Sequence, residues 1–192
     1  NMDQGNGTPT TYSDCFQWLM APTDLTGQNP NPAMAPHIIN NSWGCPTSEG
    51  CTTPNILQTV VENVRASGIL VVVSAGNSGS GCSTIAEPPA IYAASFTVGA
   101  VSGTSMASFS SRGPVTVDGS NRMKPDIVAP GVGTRSSVPG SAYGSKSGTS
   151  MAGPHVAGVA ALLMSADPTL RRDPARIEAL MRNTAVLDTV SS

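Results

Sequence analysis

A chain of 192 residues with 10 Lys and Arg against 12 Asp and Glu carries a formal net charge of -2, and it is 39% hydrophobic but only 11% charged. Near-neutral charge without a basic cluster excludes nucleic acid as a partner, because neutralising a phosphate backbone needs concentrated Lys and Arg. The longest apolar run, around residues 68–73, falls far short of the roughly 18–20 residues that span a bilayer, so no membrane partner is expected either.

Residues 1–11 are rich in Gly, Asn and Thr and read as a loop or frayed end, in which Asn6-Gly7-Thr8 has the pattern of an N-glycosylation acceptor. Ser13 caps a short helix over 14–20, with Cys15, Phe16, Leu19 and Met20 on one face and Pro22 ending it. Pro30, Pro32 and Pro36 stiffen the following loop, and residues 37–43 (His-Ile-Ile-Asn-Asn-Ser-Trp) read as a buried strand ending at Gly44. Pro54 opens a helix over 55–67, in which Ile56, Val60, Val61 and Val64 recur at helical intervals until Gly68. Ile69 to Val73 are apolar β-formers in an unbroken run, the pattern of a central strand covered on both faces. Strand, helix and strand in this order predict a βαβ unit with parallel strands. Further strands are expected at 96–101 and 127–129. The segment 150–165 is apolar on every face and predicts a helix buried in the interior, and a last helix starts at Pro174, capped by Asp173, with Ile177, Leu180 and Met181 inward. The whole reads as one α/β layered domain.

Cys15, Cys45, Cys51 and Cys82 are separated by 29, 5 and 30 residues, which fits no zinc pattern. Two disulfides in an exported protein are expected, with Cys45–Cys51, which closes a short loop, the favoured pair; free buried thiols are the alternative. No charged-then-apolar leader follows Asn1, so a signal peptide is expected to be removed or to lie outside the chain.

Sites in open parallel sheets lie beyond the carboxyl ends of the strands, which points to the loops after Trp43 and Val73. Ser74, Ala75 and Gly76 are small enough to let a ligand approach the backbone. Asn77 then offers a carboxamide that can donate to an oxyanion, or serves only as a turn residue. In residues 148–155 (Gly-Thr-Ser-Met-Ala-Gly-Pro-His) Ser150 stands at the mouth of a helix, where unpaired N–H groups favour negative charge; a plain N-cap serine explains it nearly as well.

Five segments taken together carry a resemblance: 39–44 (Ile-Asn-Asn-Ser-Trp-Gly), 72–77 (Val-Val-Ser-Ala-Gly-Asn), 109–114 (Phe-Ser-Ser-Arg-Gly-Pro), 124–131 (Lys-Pro-Asp-Ile-Val-Ala-Pro-Gly) and 148–158, which opens Gly-Thr-Ser-Met-Ala. In order and spacing they resemble the subtilase (subtilisin-like) serine proteases over nearly the whole chain, and Asn41 to Gly44 behind the stretch 21–24 are most similar to the bacillopeptidase F group. The resemblance implies a three-layer parallel-sheet subtilisin-like fold and a serine endopeptidase working through an acyl-enzyme on Ser150. Asn77 matches the side chain that stabilises the oxyanion with the Ser150 N–H, and Thr149 assists. Ser42, Trp43 and Gly44 match the strand that pairs with an extended substrate, while Ser74, Ala75 and Gly76 match a wall of the pocket for the residue before the scissile bond. Glu87, two residues before Pro89, matches the floor of that pocket, where a carboxylate favours Lys or Arg; a solvated surface glutamate is the other reading. Pro88-Pro89 matches a site of a cis X-Pro bond. No cofactor is implied for the chemistry. Structural calcium is frequent in the family, but the scattered acidic residues mark no site for it.

The subtilase motifs of the catalytic aspartate (Asp-Thr/Ser-Gly) and histidine (His-Gly-Thr) do not occur in these residues. His37 and His155 fit neither role, since His155 lies more than a helical turn beyond Ser150. Residues 1–192 are therefore expected to be the carboxyl-terminal portion of a subtilase catalytic domain, an incomplete fold without its first strands and inactive alone. Its expected partners are a peptide or protein substrate and the missing amino-terminal part of its own domain, in a secreted enzyme. The alternative is an inactive subtilase-like module that binds peptides.

Overall fold

A computed structural model describes residues 5–186. The first helix, α1 (Pro9–Met20), starts upstream of the Ser13 expected to cap it. Thr8 is the N-cap instead: its hydroxyl accepts the Thr11 N–H at 3.2 Å, Thr11 Oγ1 accepts the Thr8 N–H at 2.9 Å, and Pro9 occupies a first-turn position where no donor is missed. Then follow β1 (Ile38–Asn41), α2 (Gln58–Ala66), β2 (Leu70–Ser74) and β3 (Phe96–Ser102). A two-residue β4 (Ser105–Met106) precedes β5 (Ile127–Pro130), a hairpin of β6 (Thr134–Val138) and β7 (Ala142–Lys146), and the helices α3 (Thr149–Ala166) and α4 (Pro174–Thr184).

β1, β2, β3 and β5 run parallel, with Asn41 opposite Val73 and Ser74 opposite Val98, and β4 turns back antiparallel on β3. Leu70 to Val73 are wholly buried. The pleat sends Val71 and Val73 into a core with Tyr12, Phe16, Val61 and Val64 of α1 and α2, while Leu70 and Val72 meet Ala152, Val156 and Ala160 of α3 and Ile177 of α4. Helices therefore cover both faces of a parallel sheet, the three-layer α/β fold expected. Lys124, in the Lys-Pro-Asp segment, is buried and fixes the approach of β5 to β3. Its Nζ donates to Ser95 O at 2.6 Å and to Asp126 Oδ2 at 2.5 Å, and Asp126 Oδ2 also accepts the Thr97 N–H at 2.7 Å.

Three further expectations do not hold. Leu180, expected on the inward face of α4 with Ile177 and Met181, is 37% exposed. α3 is not enclosed, for Val159 and Leu162 are 47% and 71% exposed. Its inner side packs on β1, β2, β3 and β5, and that sheet can cover only one side of a helix. Cys45 and Cys51 form the expected disulfide, but Cys15 and Cys82 stay free. Cys15 sits in a groove between α1 and β1 and Cys82 on an exposed loop, so no second bridge forms.

The start of α2 depends on a phenol. No side chain caps Leu57, and its buried N–H donates instead to Tyr92 Oη at 3.1 Å; burial pushes the Tyr92 pKa up to about 12. Tyr92→Phe leaves that N–H without an acceptor and should cost roughly 1–3 kcal/mol in urea unfolding.

Candidate active site

The register that sets Asn41 beside Val73 brings the carboxyl ends of β1 and β2 out together. Ser42, Trp43 and Gly44 continue from one strand, Ser74 to Asn77 end the other, and the first turn of α3 arrives between them. They enclose one cleft of ≈ 440 Å³, and every site residue expected from the sequence lines it, including Glu87 and Thr149. Trp43 is held in the wall by Tyr12, whose ring stacks on it at 4.0 Å and 9°, with Phe16 tilted against it at 5.9 Å.

Asn77 is oriented by Thr149. The Thr149 N–H and hydroxyl both donate to Asn77 Oδ1, at 2.9 and 3.0 Å, and the same hydroxyl accepts the Gly76 N–H at 3.2 Å. Two donors on one side of the carboxamide require its oxygen there, which turns Nδ2 the other way; it makes no hydrogen bond among the described residues. Ser150 is the second residue of α3, so its N–H is one of the first-turn donors without a helical acceptor. Two N–H donors and the positive end of the helix dipole thus gather at the cleft beside a serine hydroxyl. The Ser150 hydroxyl itself donates to Ser42 O at 3.3 Å.

Gly44 leaves space for Glu87: a Cβ built on it would sit 2.5 Å from Glu87 Oε2. Much of Glu87 is exposed, yet burial of its carboxyl against the cleft wall, followed by repulsion from Glu49, raises its pKa. The backbone behind it is tied down by the Cys45 N–H on Pro88 O (2.8 Å), Ser95 Oγ on Pro89 O (2.7 Å) and Thr97 Oγ1 on Ala90 O (2.8 Å). The Pro88-Pro89 bond is cis, as expected.

Neither histidine lines the cleft. His155 holds Met151 O through Nδ1 at 2.9 Å, and His37 lies beside Met164 and Arg171, its pKa lowered by burial and then by Arg172 and Arg171. Among the described residues no group of three His, Cys, Asp or Glu side chains is placed to hold a metal ion. Ser111 has a part that its sequence does not disclose, although its segment carries some of the family resemblance. It is fully buried, its N–H donates to Gly76 O at 3.0 Å, and its Oγ accepts the Ser78 N–H at 3.0 Å, bracing the loop that carries Asn77. Gly76 has φ +98°, which favours glycine, and a Cβ there would also crowd Ser111 Oγ at 3.0 Å.

Comparison with known proteins bears on the family and the fold. The model of the subtilase family (Peptidase_S8) matches residues 1–192. Bacillopeptidase F of Bacillus subtilis (strain 168) is 41% identical over 188 residues, covering 95% of this chain and 12% of its own length. Subtilisin of Bacillus pumilus is 46% identical over 134 residues, 69% of this chain and 44% of its own. The chain thus spans less than half the length of either relative. Among solved structures, a cold adapted subtilisin-like serine proteinase superposes with TM-score 0.72 at 28% identity, covering 98% of this chain and 59% of that one.

Thr149→Val tests the clamp on Asn77. It removes one donor from Asn77 Oδ1 and the acceptor of the Gly76 N–H, and should lower stability by about 1–3 kcal/mol in chemical unfolding.

Proposed function

The chain belongs to the subtilase family, and on that premise we propose that it is the carboxyl-terminal portion of the catalytic domain of a secreted serine endopeptidase. The observation that carries this reading is the double donation from Thr149 to Asn77 Oδ1, which aims the carboxamide N–H toward the cleft beside Ser150. In the proposed reaction Ser150 Oγ bonds to the scissile carbonyl carbon while its proton passes to a histidine. The charge that builds on the carbonyl oxygen is met by Asn77 Nδ2–H and the Ser150 N–H, donors already in place before the reaction. The C–N bond breaks as the histidine returns the proton to the leaving amine, and water then opens the acyl-enzyme by the same route. Neither a metal nor an organic cofactor has a part in these steps; calcium, where bound, would be structural.

The histidine and its orienting aspartate are proposed to come from polypeptide outside these residues. One feature supports a docking amino-terminal part: among the described residues β1 stands at the edge of the sheet with one side unpaired. Export is supported by the Cys45–Cys51 disulfide. A second reading, a peptide-binding module without turnover, is favoured by the position of both histidines outside the cleft. A fluorophosphonate probe separates the two. Complete enzyme should be labelled at Ser150 and the 192-residue chain should not, because an alcohol without its base is a weak nucleophile. Failure to label the complete protein would support the binding module, and stoichiometric labelling of the chain alone would show that no further part is needed.

Glu87 is proposed to select Lys or Arg before the cut, since a cation in the pocket pairs with its carboxylate at the cleft wall while an apolar side chain leaves it unpaired. Glu87→Gln in the complete enzyme should reduce the preference for Lys and Arg over neutral residues in a peptide library by roughly 10–100-fold, the worth of one hydrogen bond to a charged group. The raised pKa of Glu87 sets the pH dependence of the wild-type preference. On acidification it should begin to fall before an ordinary glutamate would protonate. An unchanged profile would remove Glu87 from the pocket.

A further inference from the structure

α3 contains a proline, Pro154, four residues after Ser150. In a regular helix the carbonyl of residue 150 accepts the N–H of residue 154, but proline has none, and its ring presses on that same carbonyl. Ser150 O is therefore left without its helical donor. Ser42 Oγ supplies one from the neighbouring strand end, at 3.1 Å. A hydroxyl has a single proton, so Ser42 Oγ, having donated to Ser150 O, can only accept from its other neighbours. Asn40 Nδ2 meets that requirement, donating to it at 2.8 Å.

The other end of the Asn40 carboxamide points at the same helical turn. A Cβ built on Gly153 would fall 2.8 Å from Asn40 Oδ1, so the glycine is the space in which the amide lies. Asn40 belongs to the edge strand and is exposed in this chain. Its side chain is committed to Ser42.

We propose that Asn40 is a positioning residue for the nucleophile: through Ser42 it holds the Ser150 carbonyl that Pro154 leaves unpartnered, and so fixes the Ser150 hydroxyl and N–H relative to Asn77. The inference rests on the reading of Ser150 as nucleophile. Fixing the carbonyl fixes the first turn of α3, and small displacements of reacting groups are costly to the rate.

The test uses the complete enzyme, with rates normalised by active-site titration. Asn40→Asp keeps the shape but replaces the donor by an acceptor, which draws the Ser42 proton away from Ser150 O. It and Asn40→Ala should each lower kcat about tenfold with KM within about twofold. Affinity for a peptide boronate, which forms a tetrahedral adduct on the serine, should fall by a similar factor, while binding of a product peptide stays unchanged. Ser42→Ala should match these losses, and Asn40→Ala should add nothing to it, since both act through one bond. Pro154→Ala restores an N–H for Ser150 O within the helix; in that background Asn40→Ala should cost much less than in the wild type. A purely structural Asn40 would lower the melting temperature and leave kcat per titrated site untouched. Unchanged kcat in the Asn40 variants, a loss confined to KM, or an undiminished loss in the Pro154→Ala background would overturn the proposal. If an Asn40 variant does not fold, Ser42→Ala with and without Pro154→Ala decides between the same two outcomes. Absence of peptide hydrolysis by the wild-type complete enzyme would instead overturn the reading of Ser150, and this proposal with it.

Discussion

Burial of β2 on both faces is the constraint on which the other elements depend. A strand whose side chains are all excluded from water needs apolar partners above and below, and α1 and α2 on one side and α3 and α4 on the other supply them. Parallel pairing on both edges follows from long crossovers, through α2 between β1 and β2 and through a helix-free connection between β2 and β3, and it brings the carboxyl ends of β1 and β2 to one end of the sheet. The cleft is a geometric result of that arrangement, which also sets the direction in which α3 must run to cover the sheet.

At the cleft the dominant physics is the pairing of polar groups. The amino-terminal turn of α3 has more donors than acceptors, and its proline leaves a carbonyl over. Thr149 matches its donors to Asn77 Oδ1, Ser42 Oγ takes the spare carbonyl, and Ser111 satisfies the loop between them. Asn77 Nδ2 and the Ser150 N–H are left over, both at the cleft. The Ser74 hydroxyl, buried without a partner, is the exception along its walls. A site whose surroundings are this fully paired holds its free donors at fixed positions, as binding an oxyanion requires.

Much of this is legible in the sequence. The run at 69–73 can only be a doubly covered strand, and the small residues after it mark the place where a ligand approaches the backbone. Periodicity misleads at α3, since a helix apolar on every side looks the same whether the missing cover lies within the chain or elsewhere. Ser13 stands out as a cap because residues 1–11 lack apolar periodicity, but Thr8-Pro9-Thr10-Thr11 holds the stronger signal. The hairpin of β6 and β7 is solvated on both faces and so has no alternation to detect, and β4 is too short for any pattern. Asn40 is invisible for a different reason. Its relation to Ser150 passes through Pro154, and only the distances between strand and helix connect the three.

The frame behind Glu87 bears on how such a cleft changes over evolutionary time. Cys45, Ser95 and Thr97 hold the backbone of residues 88–90 through its carbonyl oxygens, independently of the side chain at 87, and the Cys45–Cys51 bond anchors the first of them covalently. Exchange at position 87 therefore leaves the wall where it is, with little penalty to the fold. On the proposed role of Glu87, descendants of this chain could trade one substrate preference for another by single-codon steps, each intermediate remaining a folded protein on which selection can act.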